Sequence, residues 1–250
     1  MRKTSRGLLF LIVLAGIIGL ALGQALAQGL YWEQTATTPM GGKAAEFHTK
    51  GYLKPMKLKT VSDEGNQGAI IRSDKEIIYI VNMKDKTYSE MTFKEMESQM
   101  SKASEKMKQM QEKLKDMPPE QRKMIEGMMG EKEYQLKKTG EKKNVAGFSC
   151  EKVVMSAGDN DVAEFWITKQ IGSMKDYAKD WSKLMDKMAK GPLAKMYRKL
   201  AELDGFVMES KFSGVTVTTT KLEKRSVADS EFEVPAGYTK KEVKGMSGED

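Results

Sequence analysis

One cysteine, Cys150, and one histidine, His48, are all that the chain offers of two residue types on which much enzyme chemistry depends. A single cysteine excludes an intramolecular disulfide, so the fold must hold through its apolar core. It also leaves a catalytic thiol with only His48 as a base. Cys150 lies within Phe148-Ser149-Cys150-Glu151-Lys152-Val153 and reads as a buried strand residue. His48, between Phe47 and Thr49, reads as a strand residue with a surface or edge role. No P-loop, G-x-S-x-G, H-E-x-x-H or C-x-x-C is present. Carboxylates are plentiful, but Glu95, Glu105 and Glu112 sit among lysines, the pattern of a solvated helix face. No acid–base pair stands out from them. These gaps predict a protein without catalytic residues, cofactor or metal.

Clustered positive charge is missing too. Arg2, Lys3 and Arg6 open the chain, Leu8 to Leu22 is an apolar run, and Ala25-Leu26-Ala27 has the A-x-A form of a cleavage site. Residues 1–27 thus read as a signal peptide and Gln28 as the first mature residue. No cysteine follows that could carry a lipid, so no stable membrane anchor is expected after cleavage. Removing three of the 42 basic residues leaves 39 against 35 acidic ones, a net charge of +4 spread along the chain. Nucleic acid, which wants a basic face with interleaved aromatics, is not an expected partner. The expected location is the periplasm or the exterior.

The mature sequence alternates between two periodicities. Segments 31–38, 44–50, 52–61, 69–73, 77–81 and 87–93 read as strands joined by short polar turns, with Gly51 and Pro55 marking a bend or an edge. At Lys94 the period changes. Met96, Met100, Ala103, Met107, Met110, Leu114 and Met117 recur at 4-3 spacing, the seam of an amphipathic helix that Pro118-Pro119 ends. A second short helix is expected over 120–129. Strands return at 133–138, 149–156 and 162–168, and helical spacing returns through Trp181, Met185 and Met188. Gly191-Pro192 interrupts it before a further helix that Gly205 can cap. Strands 206–212 and 215–222 follow, and 241–250 reads as a charged, disordered tail. No Pro/Gly/Ser-rich linker separates the strand blocks, so residues 28–240 are expected to form one α+β domain. It would be an antiparallel sheet with helical inserts at 94–129 and 172–204 packed on one face.

Several segments resemble a family of exported bacterial proteins known only as a domain of unknown function. They are Ile70-Ile71-Arg72, Ile77-Ile78-Tyr79-Ile80-Val81 and Lys86-Thr87-Tyr88-Ser89-Glu90-Met91, then Val145-Ala146-Gly147-Phe148-Ser149-Cys150-Glu151-Lys152. Glu164-Phe165-Trp166-Ile167-Thr168 and Phe232-Glu233-Val234-Pro235-Ala236-Gly237-Tyr238 complete the set. That family is similar in layout to the LolA/LolB-type lipoprotein carriers, a curved antiparallel sheet forming an open half-barrel closed by helices. The resemblance implies a cavity for an apolar ligand and leaves the cargo open. The Phe232–Tyr238 segment also reads locally. Phe232 and Val234 alternate as on a strand, Pro235 stops pairing and Ala236-Gly237 turns the chain, making a terminal lock for the sheet.

Methionine is the most abundant unusual residue, 20 in all. Flexible thioethers fill irregular cores and line adaptable surfaces for varied apolar partners. They also select Cu(I), but no histidine or cysteine neighbours Met96/Met100 or Met124/Met128, and a helical seam explains the spacing. The expected function is non-catalytic binding or carriage of a lipid, lipoprotein or other apolar ligand in the cell envelope. The hypothetical groove is lined by Ile78, Ile80, Met96, Met100, Met107, Phe165, Ile167, Trp181 and Met185. The alternative is an envelope protein–protein or chaperone-like module using the methionine-rich helices, an idea to which Pro118-Pro119-Glu120-Gln121-Arg122 lends a helix start of the kind small periplasmic stress chaperones use.

Overall fold

A computed structural model describes residues 29–40, 43–62, 66–99, 101, 102, 105, 133–172 and 192–242. Residues 1–27, read above as a signal peptide, most of the methionine-rich insert and the stretch containing Trp181 and Met185 lie outside them, as does 243–250. Twelve strands are described: β1 (Leu30–Met40), β2 (Lys43–Lys54), β3 (Lys57–Ser62), β4 (Gln67–Arg72), β5 (Ile77–Asn82) and β6 (Thr87–Thr92) in the first half; β7 (Tyr134–Val145), β8 (Phe148–Ala157), β9 (Asn160–Thr168), β10 (Phe206–Phe212), β11 (Val215–Lys224) and β12 (Thr239–Lys240) in the second. They form one sheet in the order β12-β6-β5-β4-β3-β2-β1-β11-β10-β9-β8-β7. Every pairing is antiparallel except β12 with β6, which is parallel. β12 and β7 are free edges, so the sheet does not close. The architecture is the expected α+β open half-barrel.

Tight hairpins set the register through β6. Lys54 pairs with Lys57 across Pro55-Met56, and Met56 takes a φ of 61°. Of the two positions the sequence offered for a bend, Pro55 holds the turn, while β2 runs straight through Gly51. The reason is Trp32 of β1, directly opposite: a Cβ on Gly51 would lie 2.0 Å from the indole. Glycine is there to let the ring lie across the neighbouring strand.

The end of β6 also differs from expectation by one residue, because a helix, α1 (93–99), begins at Phe93. Thr92 and Glu95 form a capping box. The Glu95 N–H donates to Thr92 Oγ1 at 3.1 Å, and Glu95 Oε2 accepts from the Thr92 N–H at 2.7 Å. Phe93 and Met96 then turn inward, both buried against Met91, Ile78 and Ile71. A second helix, α2 (Pro192–Leu200), starts with proline at its first position, where a missing N–H costs nothing. Gly205 does not cap it. The helix closes through Ala201 and Leu203 N–H groups on Tyr197 and Leu200 carbonyls. Gly205 instead enters β10, where a Cβ would meet Ile167 Cγ2 at 2.5 Å.

The segment after β11 crosses the opposite face. Phe232 lies in a 3-10 turn (Asp229–Phe232) rather than a strand and is fully buried with Ile70, Val81 and Val227. Arg72, itself buried, donates two hydrogen bonds to Asp74, at 2.8 and 2.7 Å, and others to the Phe232 carbonyl and to Glu233. Gly237, with φ 80°, reverses the chain so that Tyr238 packs into the same cluster. The segment is a strap, continued by β12 on β6.

Candidate binding face

Alternation divides β1–β6 into two chemically different faces, and no register shift interrupts the pairing among these six strands. One face carries α1. Across it runs an aliphatic row, Leu30–Leu53–Leu58–Ile71–Ile78–Met91, all buried. Two residues along the strands comes a mixed row of small and apolar side chains: Trp32, Gly51, Thr60, Ala69, Ile80 and Ser89. Two further comes a polar row: Thr219 of β11, then Gln34, Thr49, Ser62, Gln67, Asn82 and Thr87. None of these residues is charged. The charged residues of the same strand segments, including Glu33, Glu46, Lys50, Lys54, Lys57, Lys59, Arg72 and Glu90, fall on the outer face.

Burial of the inner polar groups is unusual, because hydroxyls and amides removed from water normally find partners. Gln34 is 7% exposed and Thr60 4%. Thr219 Oγ1 lies 3.5 Å from the Val207 carbonyl, to which it can only donate, so it accepts from Gln34 Nε2 at 3.2 Å. With the amide placed this way, Gln34 Oε1 is without a partner among the described residues, as is Thr60 Oγ1. In the same middle row Ile80 is 37% exposed, one of three large apolar side chains open to solvent among the described residues.

The residues expected to line the groove fall into more than one place. Ile78 and Met96 share a core cluster on the α1-bearing face, and Ile80 lies two residues from Ile78 on that face. Phe165 and Ile167 are buried in a second cluster with Met155, Val207 and the α2 residues Met196 and Leu200. Two register shifts interrupt the ladders between β1 and β9, which carries Phe165 and Ile167. Met100, Met107, Trp181 and Met185 lie outside the described residues. The sequence reading missed Trp32, Gln34, Thr60 and Thr219. A signal was available from residue 46 onward: Glu46, Lys50 and Lys54 fall on even positions of β2, and Phe47, Thr49, Gly51 and Leu53 on odd ones.

Cys150 is fully buried, and burial raises its thiol pKa. His48 Nδ1 is 3.1 Å from Thr35 Oγ1 on an exposed stretch. Among the described residues no three His, Cys, Asp or Glu side chains gather as metal ligands. No described helix is long and apolar enough to cross a membrane. On the outer face a cleft of about 250 Å³ lies between sheet and strap, lined by Lys50, Tyr52, Lys59, Ile70, Val81 and Tyr238. That is below the ~300 Å³ at which ordinary ligand pockets begin.

Residues 116–238 match the family model DUF4412, a domain of unknown function. No curated protein matches. Among solved structures the chain is similar to PNGF-II at 15% identity, covering 86% of this chain and 31% of that one, with a TM-score of 0.37. It is similar to MucB at 10% identity, covering 95% and 66%, with a TM-score of 0.39. A LolA superfamily protein from Nitrosomonas europaea matches at 7% identity over 89% of this chain and 96% of its own, with a TM-score of 0.32. The chain therefore spans about a third of PNGF-II and just under two thirds of MucB.

Proposed function

We propose that this protein is exported and, in the periplasm or beyond, binds an apolar ligand on the α1-bearing face of its sheet without catalysing a reaction. A lipid or the acyl part of a lipoprotein is the class of ligand that fits. One observation carries the reading: the inner face of β1–β6 is free of charge over three successive register rows while the outer face takes the charges. On that face Ile80 is 37% exposed between Ala69 and Ser89, an apolar side chain open within the uncharged rows. The export half of the reading rests on the n-region, apolar run and A-x-A site in residues 1–27.

The test is purification from cell envelopes without detergent, followed by organic extraction and mass spectrometry. A ligand recovered near one per chain supports the reading. A protein that yields none, and takes up none from added lipid, overturns it.

A further inference from the structure

We infer that the strap is an electrostatic latch: residues 226–241 open from the sheet as a unit, ahead of the rest of the fold, and ionic strength sets how often they do. The inference is independent of the binding role proposed above. It comes from the order of charges along the segment. Asp229, Glu231 and Glu233 alternate with other residues, and each meets cations on the sheet. Asp229 Oδ1 accepts from Lys54 Nζ at 3.1 Å and from Lys57 Nζ at 2.9 Å, where β2 turns into β3. Glu231 Oε2 accepts from Lys59 Nζ of β3 at 2.7 Å. Glu233 pairs with Arg72 of β4 and lies 3.6 Å from Lys75 Nζ in the turn that follows. At the far end the sense reverses, and Lys240 of β12 pairs with Glu90 of β6.

Two features make the segment separable. Its bending points are exposed: Lys224, Arg225 and Ser226 where the chain leaves β11, then Pro235, Ala236 and Gly237 where it reverses. Its ladder with the sheet is also short, since β12 pairs with β6 over Thr239 and Lys240 alone. Against this stand Phe232 and Val227, whose burial is a hold that charge screening does not reach. The acids are placed differently. The side chains of Asp229 and Glu231 are 68% and 39% exposed, a position in which salt screens effectively. One exposed pair contributes little. Several on one segment break in the same opening event, so their screening adds up. Such an opening is sub-global, confined to one contiguous unit. It bares Ile70 and Val81, with Tyr52 and Tyr79 beside them, as an apolar centre bordered by Lys57, Lys59 and Arg72.

The experiment is native-state hydrogen exchange of the mature full-length protein at one pH, in about 0.01 M and about 1 M sodium chloride. Between the two the Debye length falls from about 30 Å to about 3 Å. The Thr239 and Lys241 amides, bonded to the Lys86 and Tyr88 carbonyls, report the strap. Amides of β1, which has a strand on either side, report the sheet. High salt should speed exchange at Thr239 and Lys241 about tenfold relative to β1. The double variant Asp229→Asn, Glu231→Gln keeps Phe232 and Arg72. It should exchange faster than the wild type at these two amides in low salt, and lose most of the salt response. Lys59→Met, which removes one pair from the sheet side, should weaken the response and serves where the double variant loses its fold. A wild-type ratio that salt leaves unchanged would overturn the latch. So would strap and β1 amides that exchange at one common rate, or a full salt response in the variants.

Discussion

Single residues divide the sheet's two faces, and some of them do so under tight geometric constraint. Gly51 is the clearest. With 2.0 Å between a notional Cβ and the Trp32 ring, any side chain must displace the indole from the inner face. Gly51→Ala should therefore cost about 1–3 kcal/mol in urea denaturation, the range of an overpacked core. It should also alter the fluorescence contributed by Trp32. Cys150 tests burial in the other half. Fully enclosed and with its thiol pKa raised, it should resist iodoacetamide in the native state and react stoichiometrically in 6 M guanidinium. Rapid native labelling would contradict its placement. Neither behaviour could be quantified from sequence: Cys150 was readable as a strand residue, but the demand for glycine at 51 depends on which residue of β1 stands opposite.

At the scale of elements, the strap over the outer face gathers its stability at two points. Phe232 is fully buried among Ile70, Val81 and Val227, and Phe232→Ala should cost about 3–5 kcal/mol. Hydrogen exchange would report the same event locally, with faster exchange at Thr239 and Lys241, whose N–H groups donate to Lys86 and Tyr88 carbonyls. The second point is Arg72. Its two hydrogen bonds hold the Asp74 carboxyl below its ordinary 3.8, so Asp74 contributes stability that is complete above that value and disappears as pH falls through the lower folded value. Asp74→Asn should lower stability at pH 5–8 and make the acid limb of a stability–pH profile shallower. The limb will not vanish, since Asp229 beside Lys54 and Lys57, and Glu95 at the α1 cap, are held low in the same direction.

Sequence and structure agree best where an element is fixed by its own residues. The alternation of β5 and β6, the α1 start after Thr92 and the turn at Gly237 are local properties, legible to within a residue or two. The strap was foreseen as a lock, but Phe232 was assigned to a strand because its alternation with Val234 imitates one. Only the docked partners Ile70 and Val81 reveal that the segment lies across the sheet rather than along it. The polar row was harder still. Thr219 and Gln34 are 185 residues apart, and nothing local in either strand announces that they meet.

For the whole molecule, the twelve strands form an open sheet whose first half keeps three successive register rows of one side free of charge. The strap covers the charged side, and α1 lies on the uncharged one. That division is what a binder of apolar matter requires: a surface that stays out of water when empty and accepts a chain-like ligand without desolvating charge. The most direct test is photocrosslinking of the mature protein with a diazirine-bearing decyl amide, followed by peptide mapping. The account predicts adducts on inner-face positions of β2–β6, among them Leu53, Leu58, Ile78 and Ile80. Adducts confined to the outer face, or spread evenly over both, would contradict it.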